Sequence, residues 1–289
     1  MSSDLEFGDI NEAKANLDHI YNELDPRAYF RELKKLDYAI PEVAKPVFQT
    51  LIDALQQRRD DPIQVLDLGC SYGINAALLK HDLSIDELYD RWGGKDVSKV
   101  ATEEIIARDQ RFFADLETPD GLDVVGIDVA EKAISYGEEV GLLDESFAVN
   151  LETEPLSPVA KEELASVDLV TSTGCVGYVT EKSFDRMLPA MESGQKPWFA
   201  NFVCRMFPFD AIEGCLGEWG YVTEKLENKT FLQRRFASVD EQEQVIEQLR
   251  DQGVDPTGLE DEGDLLAEFY LSRSKADAAA LPIDRLLGT

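Results

Sequence analysis

The sequence predicts an α/β fold built on a mostly parallel sheet, and three observations carry that reading. Residues 64–79 (QVLDLGCSYGINAALL) place an apolar run, a glycine turn and a helix-compatible Ile74, Ala77, Leu78 pattern in immediate succession. The same strand-then-helix order returns at residues 123–141, 166–191 and 198–219. Two further strand patterns, residues 221–226 and 230–236, flank Glu227-Asn228-Lys229 and read as an antiparallel hairpin.

The first unit is a ligand-binding corner. Its strand ends in Asp67, and Gly69 and Gly73 stand four residues apart at the turn. Glycine at Gly69 admits close backbone approach to a bound molecule, Gly73 opens the helix, and the N–H groups of the first helical turn face the ligand. Gly69-Cys70-Ser71-Tyr72-Gly73 also fits GxSxG, the elbow that presents a nucleophilic serine between strand and helix. Such a serine needs a histidine base after an acidic residue. The chain has two histidines: His19 precedes Ser71, and His81 ends the helix that the elbow would launch. Ser71 therefore lacks a base and is not a nucleophile. The dinucleotide fingerprint GxGxxG fails as well, with Ser71 at its second glycine and Ile74 at its last position.

Residues 65–73 resemble motif I of class I S-adenosylmethionine (SAM)-dependent methyltransferases, written VLDLGCGxG, with Ser71 in place of the central glycine. The resemblance implies that Asp67 orients the amino group of the methionine moiety while the glycine loop packs against it. Ser71 is small, and its hydroxyl could meet the methionyl carboxylate.

The second unit, DVVGIDVAEKAISYGEEVG, has an apolar strand ending in Asp128 and a helix with Ala133, Ile134, Gly137 and Val140 on one face. A carboxylate at a strand tip suits two ribose hydroxyls, and the family uses an acid here for that task. Asp128 is also an N-cap candidate for the helix near Glu131, but following motif I the ribose role is the preferred reading. Residues 147–151 form a short strand ending in Asn150, where the resemblance implies pairing with adenine; a turn asparagine would look the same. The strand 167–171 leads through Thr173 into a loop with Tyr178, and Thr180 caps a helix carrying Phe184, Met187, Leu188 and Met191. That loop should border the methyl group, because ligands in open α/β sheets bind at the carboxyl ends of strands.

Over residues 62–236 the resemblance implies a doubly wound, mostly parallel seven-stranded sheet with an antiparallel terminal hairpin. It implies SAM as cofactor, S-adenosylhomocysteine (SAH) as product, and Asp67, Gly69, Cys70, Ser71, Gly73, Asp128, Val129, Asn150, Leu151 and Thr173 as cofactor-binding residues. Tyr29, Tyr38 and Tyr178 are the substrate-side candidates; no catalytic base is identified.

Two segments depart from the core. Asp128 follows Asp67 by 61 residues, where roughly 20 complete one such unit. The excess, at about 82–120, reads as a helical insertion through residues 85–92 and 100–113, either a pocket wall or a decoration. Residues 1–60 read as a helical cap: Asp25 and Pro26 open one helix with Tyr29, Phe30 and Leu33, and a second begins near Pro46 with Val47, Phe48, Leu51, Ile52 and Leu55 inward. Between them residues 36–41 form an aromatic linker containing Tyr38. Residues 237–289 read as a C-terminal extension, with a capping box at 238–241, a helix ending near Gly253 and one more strand at 267–272.

Composition places limits on the chemistry. With 58 acidic against 28 basic residues the net charge is −30, which opposes a phosphate backbone, so a nucleic-acid substrate is not expected. A salt-rich cytoplasm would also select such a surface. Four cysteines without CxxC spacing and two histidines argue against a zinc site or a disulfide framework. The polar start MSSDLEFGD is no signal peptide and no apolar run reaches membrane length, so the expectation is a cytoplasmic protein with no membrane contact. The expected activity is methyl transfer to a small molecule; a protein side chain as acceptor, or a non-catalytic SAM-binding module, is the alternative.

Overall fold

The computed structural model describes residues 18–59, 61–117, 121–192 and 194–288. β1 (Ile63–Leu68), β2 (Leu122–Asp128), β3 (Glu145–Ala148), β4 (Leu169–Thr173) and β5 (Trp198–Cys204) pair in parallel in the order β3-β2-β1-β4-β5. Their registers place Asp67 beside Gly126 and Thr171. The ends of β1, β2 and β4 thus share one edge of the sheet, with the order reversing at β1.

Alternation along the strands explains the two layers. Val65, Val124, Leu169 and Ala200 join a core cluster with the N-terminal helices, while their neighbours Leu66, Val125, Val170 and Phe199 join a second cluster with the helices Pro158–Leu164, Glu181–Met191 and Val239–Asp251. Successive strand side chains point to opposite faces, so a sheet covered on both sides must be apolar at both sets of positions. That is the doubly wound arrangement.

The antiparallel edge differs from the expected hairpin. β6 (Tyr221–Lys225) and β7 (Phe231–Arg235) do not pair with each other; both pair antiparallel with β8 (Asp264–Ser274). β8 lies between β5 and β6, so eight strands fill seven positions across the sheet, with β6 and β7 running in the same direction along β8. The turn signal at Glu227-Asn228-Lys229 is real, and Asn228 has φ 58°, but a local turn cannot specify which strand supplies the partner. The segment after residue 236 thus contributes an interior strand, β8, to the sheet. β7 carries a register shift between Leu232 and Arg234, so Gln233 is left out of the ladder. Its carbonyl accepts instead from the N–H of Ala39, at 3.0 Å.

The second N-terminal helix spans Ile40–Gln56, starting six residues before Pro46. Pro41 occupies its first turn, where a missing N–H leaves no gap, and Pro46 is carried inside the helix. The insertion forms the helices Ile85–Trp92 and Thr102–Ala114. The first has a complete capping box between Ser84 and Glu87. The insertion packs on the helix Arg27–Leu33, with Phe30 against Tyr89 and Trp92 at centroid distances of 5.4 and 4.7 Å. Trp92 Nε1, Tyr136 Oη and Arg91 Nε all donate to the buried carboxylate of Asp109, at 2.9, 2.7 and 2.8 Å. No helix among the described residues is long and apolar enough to cross a membrane.

Candidate functional site

A cavity of about 380 Å³ opens at the carboxyl ends of β1, β2 and β4. On its sheet side stand Gly69, Cys70, Ser71, Asp128, Val129, Asn150, Leu151 and Thr173. From the N-terminal segment Tyr21, Asn22, Tyr29, Tyr38 and Pro41 close over it, and Gln233 and Arg234 of β7 complete the wall. Eight of the ten residues that the sequence assigns to the cofactor line this one space, as do all three substrate-side tyrosines.

The turn after β1 is built from left-handed backbone. Gly69, Ser71 and Gly73 have φ 74°, 49° and 78°. A Cβ on Gly69 would lie 2.7 Å from the Cβ of Cys175, so glycine is required there by packing as well as by conformation. Asp128 holds the turn: its Oδ2 accepts from the N–H of Ser71 at 2.8 Å and its Oδ1 from the N–H of Ala130 at 2.9 Å. The helix Glu131–Glu139 has no side-chain cap at its own N-cap residue, Ala130. Asp128 thus clamps two loops while lining the cavity. The N–H groups of Gly69 and Cys70 are bonded to the carbonyl of Ile127 and that of Gly73 to the carbonyl of Cys70, so the turn itself is held by the protein.

Asp67 and Gly73 stand outside the lining. Asp67 shares the side-chain direction of Val65 and is 1% exposed, with the side chain of Asn75 between it and the cavity. Asn75 Nδ2 donates to Asp67 Oδ1 at 2.9 Å and to Thr173 Oγ1 at 3.1 Å, and Thr171 Oγ1 donates to Asp67 Oδ1 at 3.1 Å. Burial drives the Asp67 carboxyl up to about 7, against the opposing pull of the Asn75 and Thr171 hydrogen bonds and with a further push from Asp128. Gly73 opens the helix Ile74–Lys80 against Leu142, whose Cβ would lie 3.2 Å from a Cβ at that position. Asn75 was missed by sequence reasoning, although one amide in the otherwise apolar start of INAALLK is a visible signal.

Asn150 Oδ1 accepts from the N–H of Glu152 at 3.0 Å, so it makes a turn and borders the cavity at once. Glu152 in turn accepts from the backbone N–H and hydroxyl of Thr180 and from Ser183 Oγ, fixing the loop after β4. Tyr178 is 52% exposed and Val129 64%, which puts both at the mouth. Tyr29 and Tyr38 are buried, their rings in an edge contact at 6.0 Å, and burial pushes both phenols well above their ordinary range, so neither is a phenolate base. His81 stacks on Phe113 at 5.6 Å and its Nδ1 faces the carbonyl of Glu117, so it is not a base for Ser71.

No family model matches the sequence, and no curated protein matches it. Solved structures do match. The carbon methyltransferase CurJ aligns at 8% identity with a TM-score of 0.50, covering 93% of this chain and 63% of that one. The plantazolicin methyltransferase BpumL, in complex with SAH, aligns at 13% identity and a TM-score of 0.43, covering 94% and 96% of the two chains. Magnesium protoporphyrin IX methyltransferase (ChlM) of Synechocystis PCC 6803, with bound SAM, aligns at 12% identity and a TM-score of 0.39, covering 94% and 92%. With the sheet order, the likeness to CurJ defines the fold: that of class I SAM-dependent methyltransferases.

Proposed function

We propose that this chain is a SAM-dependent methyltransferase acting on a small molecule. The observation that supports this most directly is that the turn after β1, Asp128 of β2 and Asn150 after β3 face the same cavity that Tyr29 and Tyr38 roof. The residues fit the cofactor. Asp128 presents a carboxylate at the strand end where ribose hydroxyls would be received, and Asn150 keeps its Nδ2 and a lone pair for an adenine edge. Asn75, braced by Asp67 and bonded to Thr173, would meet the methionyl group with it.

SAM, when bound, supplies a methyl group already made electrophilic by the sulfonium. What the protein does is hold the acceptor in line and exclude water. Tyr29, Tyr38 and Pro41 close the space over the strand ends, and the loop 174–179 borders it. No general base is assigned; one is needed only for an acidic or protonated acceptor atom. The cavity falls within the ~300–1,000 Å³ range of small-molecule sites. The net charge of −30 disfavours a polyanionic one.

The test is calorimetric titration with SAM, SAH and NAD, followed by a metabolite screen for SAH release. Binding of SAM and SAH without NAD, and turnover with at least one small molecule, is the expected result. Binding without turnover on any metabolite, combined with turnover on a protein extract, would move the assignment to a protein side chain.

A further inference from the structure

Gln233 is 6% exposed, lines the cavity, and has no hydrogen bond to its carboxamide among the described residues; its Oε1 is buried without a partner. A buried amide left unpaired is destabilising by roughly 1–3 kcal/mol and calls for an explanation. Three features of the fold bring it there. The register shift in β7 takes Gln233 out of the ladder. Gly174, with φ 78°, leaves the room it occupies, since a Cβ at 174 would lie 2.3 Å from Gln233 Nε2. The Ala39 N–H ties the Gln233 carbonyl to the segment that carries Tyr38. Gln233 thus stands where the loop after β4 meets the roof.

We propose that Gln233 anchors the methyl acceptor, and that the acceptor is a molecule without negative charge that carries an amide-like edge, an N–H next to a carbonyl. This rests on the methyltransferase reading and adds the substrate class to it. A carboxamide offers one acceptor and two donors on a single plane, and a soft terminal torsion lets either atom turn to the cavity. Its natural complement is a group with a donor beside an acceptor, such as a lactam. Tyr21, Tyr29 and Tyr38 give the roof an aromatic surface, with their rings edge to face at 82° and 86°. Lack of negative charge follows from the other lining groups. Arg234, the cation in the described lining, is bound by both oxygens of Glu241, at 3.0 and 2.6 Å, while Asp128 and Glu152 are acidic. An anionic acceptor would meet no free positive partner in the described lining.

The probes are 2-pyridone and 1-methyl-2-pyridone, titrated into SAH-saturated protein and followed by ligand-observed NMR. The unmethylated probe should bind roughly tenfold more tightly, the size of about one hydrogen bond. Gln233→Met keeps the side-chain length and removes both polar groups; it should bring the two probes within about twofold of each other while SAH affinity is unchanged. Should that variant not fold, the wild-type protein still decides: the side-chain amide resonance of Gln233 should shift with 2-pyridone and not with its methylated form. Equal affinities, absence of binding by both probes, a preference that survives Gln233→Met, or an unmoved amide resonance would overturn the inference while leaving SAH binding intact. Loss of SAH binding in the wild-type protein would instead remove the methyltransferase reading, and this inference with it.

Discussion

The amide of Asn75 donates to the carboxylate of Asp67 at 2.9 Å, and it is Asn75, not Asp67, that meets the cavity. An acid one shell behind the wall acts by fixing the side chain in front of it. Buried and short of partners for its Oδ2, it also resists ionisation.

That position makes stability depend on pH. The Asp67 carboxyl has a folded-state pKa raised from 3.8 to about 7, so the folded protein binds the proton more tightly than the unfolded chain. Its contribution is fully present below about pH 4 and is lost as pH rises through about 7, a change on the order of 4 kcal/mol. Asp67→Asn keeps an oxygen for Asn75 and cannot ionise. Urea unfolding at about pH 5 and pH 8 should show the wild-type protein losing more stability than the variant over this interval. Equal losses would mean that Asp67 does not titrate there.

Asp128→Ala should weaken SAH binding by about 1.5–3 kcal/mol, the range for hydrogen bonds to a charged group. It also releases the Ser71 N–H, which Asp128 holds at 2.8 Å. Calorimetric titration gives the number, and an unchanged affinity would sink the ribose assignment.

Ser71 sits at φ 49° with its Oγ buried and unpartnered. Glycine adopts that backbone without the roughly 1–2 kcal/mol penalty of a side chain. Ser71→Gly should therefore fold, and should keep SAH affinity within about tenfold, or 1.4 kcal/mol. Serine-directed phosphonates should leave the wild-type protein unlabelled in intact-mass spectra; stoichiometric labelling would revive a hydrolase.

The phenol of Tyr89 donates to the carbonyl of Tyr38 at 2.8 Å, tying the insertion to the roof. Tyr89→Phe leaves that carbonyl without this donor and should cost about 1–3 kcal/mol of stability. Lid segments come from the less stable parts of a fold, so SAH should slow hydrogen exchange in residues 25–41 and around Gly69 in the wild-type protein. Exchange in 25–41 should be faster in Tyr89→Phe. A segment equally protected with and without SAH would be scaffold, not lid.

The strand-turn-helix of residues 63–80, the carboxylate ending β2 and the two insertion helices were legible because each is written in local periodicity and capping. So was the gathering of Asp128, Asn150 and Thr173, since parallel strands bring their carboxyl ends to one edge. The partner of β6 and β7 was not legible. It lies beyond residue 263, and sheet pairing is a long-range choice that no turn residue encodes. Asp67 could be read as a site acid from its motif, but only the packed helix shows Asn75 standing in front of it. Gln233 had no sequence signal at all: its place depends on a bulge, on a missing side chain at Gly174 and on a hydrogen bond to Ala39, three distant segments that meet only in the folded chain. The sequence by itself determined which elements form and which strand ends carry polar groups, because these follow from neighbours within a few residues; tertiary structure decided which of those groups reach the cavity, because that depends on what packs in front of them.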